Sequence, residues 1–176
     1  MTSAPTSVRL VEPADASALA AHLDRDAEEL ARWQPARPDG FATEAHQATR
    51  IGALLAGHRD GTGWPGVVLA GTEVIGQVTV ATILRGPLQK GFLSYWIAGT
   101  HHGHGHARRA VALTLRVMAG ELGLHRAEAH TRTDNLASHA VLRANGFTSW
   151  GIAHRHIRLG GVWHDEIFWE RHLTEE

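Results

Sequence analysis

The sequence predicts one α/β domain (α+β) over residues 1–176, a mixed and mostly antiparallel sheet with helices packed on it. Three observations carry that reading. Alternating, β-branched runs are joined by two-residue turns, Gly71-Thr72 and Gly160-Gly161, the spacing of antiparallel hairpins. Segments with helical period stand between those runs. One strand-like run passes through a glycine-rich turn directly into a helix-like run.

Residues 8–11 alternate as a short strand. Pro13 and Asp15 open a helix with Leu19, Leu23, Leu30 and Trp33 among its apolar positions and a break near Asp26. Residues 34–40 are a loop by composition. Thr43 caps a helix whose apolar positions include Ala48, Ile51, Leu54 and Leu55, and residues 61–63 end it. Residues 67–70 and 74–84 make the first hairpin, Gly86-Pro87 turns the chain, and residues 92–98 are the next strand. Residues 107–122 form a helix with Val111, Leu115, Met118 and Leu122 on one stripe and Gly123 after its end. Residues 127–132 are a strand. Asp134-Asn135 starts a short helix with Ala137, Val141 and Leu142 inward, stopped at Asn145-Gly146. Residues 147–158 and 162–173 form the closing hairpin, and period two puts His154 and His156 on one face of its first strand.

Composition excludes several classes. A net charge of -1 offers no broad cationic surface, so neither direct nucleic-acid binding nor bilayer binding is expected. There is no cysteine, which removes thiol nucleophiles, disulfides and cysteine metal sites. Residues 1–7 are small and polar with no apolar core behind them, and no apolar run approaches membrane-spanning length, so a cytoplasmic protein is expected. Lys90 is the only lysine.

The glycine turn is the strongest chemical signal. His102-Gly103-His104-Gly105-His106-Ala107 lies between strand and helix. Glycines let backbone approach a ligand closely, and the first N–H groups of the helix point at whatever sits there. An anion at that spot meets the positive end of the helix dipole, so a phosphate-bearing cofactor is expected. The three imidazoles, if they face that phosphate, gain charge as pH falls and tighten its binding. No metal is expected: alternate histidines on a tight turn need not converge, and no HExxH pattern is present.

Four motifs then appear in order: Tyr95-Trp96-Ile97-Ala98, the glycine turn, Asp134-Asn135-Leu136-Ala137-Ser138, and Asn145-Gly146-Phe147. Together they resemble the GNAT superfamily of acyl-CoA-dependent N-acyltransferases. The segment around Trp33 and the Leu159-Gly160-Gly161-Val162-Trp163-His164-Asp165 hairpin resemble its RimJ/RimL-type branch, which acetylates ribosomal-protein N-termini. The resemblance covers residues 8–173.

It implies acetyl-CoA as cofactor, a splayed strand pair in the sheet, and a primary amine that attacks the thioester directly. The glycine turn, residues His102, Gly103, His104, Gly105, His106 and Ala107, would hold the pyrophosphate. Trp96, Ile97 and Ala98 would pair with the pantetheine arm, and Asn135 would bond it. Many members place a proton-donating tyrosine where this chain has Leu142; in the RimJ/RimL-like pattern a serine takes that role, and Ser138 stands there. The loop usually opens with Arg or Gln, and here it opens with His102.

Trp33, Tyr95, His156 and Trp163 are the candidates for the acceptor pocket. His156 and His164, with Asp165 and Glu166 behind them, are candidates for the base, as is a bound water. The expected acceptor is a protein N-terminus, the alanine of a ribosomal protein by family analogy. A small-molecule amine, another acyl group or a non-catalytic acyl-CoA-binding module are the alternatives. A monomer or homodimer is expected.

Overall fold

The computed structural model describes residues 4–174. Residues 1–3, part of the stretch read as lacking a signal sequence, lie outside the described residues. Seven strands form one sheet: β1 (Thr6–Leu10), β2 (Trp64–Ala70), β3 (Glu73–Leu84), β4 (Lys90–Ile97), β5 (Arg126–Arg132), β6 (Thr148–Leu159) and β7 (Val162–His172). Their spatial order is β1-β2-β3-β4-β5-β7-β6. Every neighbouring pair is antiparallel except β4 and β5. Among the described residues five α-helices flank it: α1 (Ala16–Arg25), α2 (Ala27–Leu30), α3 (Glu44–Arg59), α4 (His106–Gly120) and α5 (Leu136–Ala144). No helix among the described residues is long and apolar enough to cross a membrane.

The two faces of the sheet are closed separately. On one, α4 and α5 bury Val111, Leu115, Met118 and Leu142 against Val78, Val80, Leu93, Phe147 and Trp169. Trp169 is 1% exposed, and its indole N–H donates to Thr131 Oγ1 at 2.8 Å, so its polar edge is satisfied inside the core. On the other face, Leu19 of α1 and Ile51 of α3 pack on Val67, Leu69 and Val74.

The predicted boundaries hold closely. Asp26 does break the first helix, and Thr43 caps α3 by accepting from the His46 N–H. Three orientations differ. Ala48 is exposed, and Gln47 is buried in its place with its amide donating to Phe41 O at 2.6 Å. Ala137 is exposed while His139 is buried, its Nε2 bonded to Arg132 O at 3.0 Å. In both helices a polar residue with a satisfied partner takes the inward position, which apolar periodicity cannot reveal. His154 and His156 do not share a face. The β6–β7 register shifts between Ala153 and Ile157, and Arg155 sits at φ 51. His154 reaches Asp165 and His156 reaches Glu166, consecutive residues on β7 that point to opposite faces.

The feature that positions the site is the parallel pair. β4 and β5 are in register only at Lys90, Gly91 and Phe92 with Arg126, Ala127 and Glu128. Beyond Phe92 they diverge into a V. Its apex is tied by charge: Lys90 Nζ donates to both carboxylate oxygens of Glu128 at 3.0 and 3.1 Å, and Arg126 Nε donates to Glu128 at 2.7 Å. Gly91 keeps the apex tight, because a Cβ there would stand 2.7 Å from Val80 Cγ1.

Candidate active site

The open side of β4 follows from strand chemistry. Ala98 N–H donates to Ile75 O on β3, so by alternation Trp96 also faces β3, while Tyr95 and Ile97 turn their N–H and C=O groups into the V. The sequence assigned Trp96, Ile97 and Ala98 together to the pantetheine arm; the ladder leaves Ile97, joined by Tyr95, with the backbone that faces the opening, and the Ile97 carbonyl there is engaged by the His102 ring.

The chain leaves β4 through a 3-10 turn (Gly99–His101) and enters α4 through the glycine turn. Gly103 and Gly105 sit at φ 77 and 74, the left-handed region that favours glycine. Gly105 is the N-cap of α4 and supplies no capping side chain. The first-turn N–H groups of α4 have no carbonyl partner within the helix, and they face the mouth of the V at the carboxyl end of a parallel strand pair. α5 starts differently: Asn135 Oδ1 accepts from the Ser138 N–H at 3.1 Å, so only the Nδ2 of Asn135 is left for a ligand.

These elements enclose a cavity of about 520 Å³. Of the residues assigned from sequence, Trp33, Tyr95, Trp96, Ile97, His102, Gly103, Gly105, His106, Ala107, Asn135 and Ser138 line it. Ala98 and His104 fall outside that lining, and His156 and Trp163 stand apart from it on the β6–β7 hairpin, where Trp163 is 56% exposed.

Two of the three turn histidines are turned toward protein. His102 Nε2 bonds Ile97 O at 2.8 Å, and its Nδ1 lies 3.6 Å from Glu29. His106 is buried with Nδ1 on Thr6 Oγ1 at 2.8 Å. Burial, then Arg109, His101 and His104, push its pKa below the ordinary histidine value. Of the three imidazoles expected to face the phosphate, His102 and His106 line the cavity with ring nitrogens engaged by protein, and His104 is exposed at the turn outside that lining.

Ser138 gains a partner that sequence reading missed. Tyr95 Oη lies 2.7 Å from Ser138 Oγ, joining β4 to the start of α5 across the V. Burial pushes the Tyr95 phenol up to about 12, with the Ser138 bond opposing it, so the phenol keeps its proton at neutral pH. The structure also adds Asp26, Glu29 and Arg108 to the lining. Asp26 Oδ2 accepts from the Gly99 N–H at 2.8 Å. Burial raises the Asp26 pKa, but the bonds from Arg25 and Gly99 outweigh it and hold the carboxyl below its usual range. Trp33 lies at the same end, with the Arg132 guanidinium 5.1 Å from its ring centre.

A phosphate-bearing thioester carrier fits this arrangement: a turn whose glycines leave backbone donors exposed, a basic side chain at Arg108, and a strand edge along which an amide-containing arm can pair. That defines an acyltransferase of the carrier-in-the-sheet kind. The sequence model of the acetyltransferase (GNAT) domain matches residues 7–148, and the chain belongs to that family. It is 40% identical over 93 residues to the probable N-acetyltransferase YjcK of Bacillus subtilis (strain 168), a match over 53% of this chain that spans about half, 51%, of that protein. The ribosomal-protein-S5-alanine acetyltransferase of Vibrio fischeri superposes with a TM-score of 0.92 at 30% identity, over 97% of this chain and 94% of that one. RimJ of Mycobacterium smegmatis, solved with a CoA disulfide, superposes with a TM-score of 0.91 at 28% identity, over 95% and 81%.

Proposed function

We propose that this protein transfers the acetyl group of acetyl-CoA to a primary amine, with a protein N-terminus such as a ribosomal-protein alanine as the acceptor. The observation that carries the reading is the V between β4 and β5, opening onto the uncapped N-terminus of α4. The likeness to the Vibrio fischeri enzyme supports the acceptor class.

Bound coenzyme A supplies an activated acetyl thioester. The glycine turn and first-turn N–H groups of α4 hold its pyrophosphate, with Arg108 adding charge. The exposed edge of Tyr95 and Ile97 holds the pantetheine arm, helped by the Asn135 amide. The Tyr95 N–H, further from the glycine turn than Ile97, is placed to donate to an oxyanion at the thioester carbonyl. Ser138 donates the proton that the leaving thiolate needs, the Tyr95 hydroxyl orients the serine while keeping its own proton, and the proton that the attacking amine loses passes to water, which reprotonates Ser138. Asp26 and Glu29, beside Gly99 at the far end of β4, attract a cationic amine into position, and Trp33 packs against the acceptor.

Thiol release from acetyl-CoA against a panel of peptides and small amines tests the reading. Acceleration by alanine-terminated peptides is the expected result. Acceleration by small amines alone would remove the acceptor assignment, and no release with any amine would remove the activity.

A further inference from the structure

Outside the cofactor cavity, three side chains from three strands converge on the face of the sheet opposite α4 and α5. His130 of β5 pairs in register with Phe168 of β7, and Glu166 of β7 lies two residues earlier on the same face. His156 of β6 reaches that face because of the irregularity between Ala153 and Ile157. His156 Nδ1 and Glu166 Oε2 lie 2.6 Å apart, and one ligand atom from each of His130, His156 and Glu166 falls within 4.8 Å of the others.

Two features are hard to explain as packing. The Nε2 of His130 is buried and makes no hydrogen bond. Leaving a buried polar nitrogen unpaired is costly, and native proteins reserve it for places with another use. Glu166 is a carboxylate only 7% exposed. Around them stand Phe92, 5.0 Å from the His130 ring, and Phe168, 3.9 Å from it, which limit access of water. Glu128 and Lys90 are the charged groups facing His130 from the apex of the V.

We infer that His130, His156 and Glu166 form a binding site for a divalent transition-metal cation, with zinc as the best match. Two imidazole nitrogens and one carboxylate oxygen are the donor set of three-ligand zinc sites, where water fills the fourth position. Entry of the cation replaces the hydrogen bond between His156 and Glu166, any proton it displaces leaving to water, and the lone pair of His130 Nε2 gains a partner. None of the three side chains lines the cofactor cavity, so metal and coenzyme A bind independently. His156 then serves the metal rather than the acceptor. The sequence directed the metal question at the wrong histidines: the glycine-turn run is contiguous, whereas this set is drawn from three strands.

The test is titration of the full chain with Co2+, read by visible d–d absorption, and with Zn2+, read by calorimetry and thermal unfolding. One cation per chain is expected, with a raised Tm. His156→Ala, at a half-exposed position, and the conservative His130→Gln should each weaken binding at least about tenfold. Each should also reduce the metal-induced Tm rise while keeping the wild-type circular dichroism and CoA affinity. His125→Gln with His172→Gln, which removes a separate stacked pair, should leave the Co2+ signal intact. Absence of stoichiometric binding by the wild type overturns the proposal. So does wild-type binding by the His130 and His156 variants, or loss of the signal in the His125/His172 control. CoA affinity, measured in parallel, reports on the acetyltransferase reading separately.

Discussion

Strand β5 has two neighbours and treats them differently. Toward β7 it pairs along residues 126–132, its whole length; toward β4 it pairs only at residues 126–128. The closed side buries Ala127, Ala129 and Trp169 in a continuous core. The open side leaves backbone donors and acceptors facing a cavity. The rigid pairing on one side is what allows the gap on the other to keep its shape, so the site is a cleft in a stable sheet and needs no mobile loop to form it.

The largest expected effect lies in the open side. Ser138→Ala should lower kcat about 100- to 10,000-fold while the KM for acetyl-CoA changes little, measured by steady-state thiol release. A kcat within a few-fold of wild type would leave Ser138 as a helix residue capped by Asn135. Tyr95→Phe should give a smaller loss of the same kind, because the phenol acts through the serine.

The apex where the two sides meet comes next. Lys90→Met removes two hydrogen bonds from the buried Glu128 and leaves Arg126 as its remaining basic partner. Stability should fall by roughly 1–3 kcal/mol in chemical unfolding. An unchanged midpoint would mean that the V is held by packing at Gly91 and Val80 alone.

Gly105→Glu should weaken CoA binding roughly 10- to 30-fold by calorimetry on folded protein. The reason is more specific than the turn sequence implies. A Cβ at Gly105 stands 3.1 Å from the Arg109 guanidinium, and φ 74 disfavours any side chain. The variant therefore deforms the turn and adds negative charge at the helix N-terminus. Unchanged affinity would remove the phosphate assignment.

The smallest effect is a matter of pH. Tyr95 is the only tyrosine, so phenolate absorbance reports it alone. It should titrate at about 12 rather than at the ordinary 10.0. Below pH 10 the phenol is protonated in folded and unfolded chains alike, and stability does not depend on it. Between about 10 and 12 the unfolded chain ionises first, so stability falls as pH rises through that window. A transition at 10 would place the ring in water and sever the link to Ser138.

Much of the architecture was legible because local signals agreed with it: the caps at Thr43 and Asn135, the turns at Gly71 and Gly160, the strand–glycine–helix passage. The glycine-turn side of the cavity was legible because the residues that line it come in contiguous motifs. What stayed hidden depends on relations between strands. The Tyr95–Ser138 bond joins residues 43 positions apart. Asp26 and Glu29 read as ordinary helix-end acids until α2 is laid beside Gly99. The irregularity at Arg155 reverses the direction of His156, and period two gives no warning of it. The splay was readable only by resemblance, since neither β4 nor β5 carries a residue that announces where pairing stops.

The tie at the apex has one more consequence. An enzyme that handles activated acetyl groups is exposed to stray acylation of its own amines. This chain carries a single side-chain amine, and that amine is already engaged by two oxygens of Glu128 and only 21% exposed. The residue that fixes the angle of the V is thus also the sole lysine at which self-modification could accumulate, and its ion pair shields it from the reagent that the V is shaped to hold.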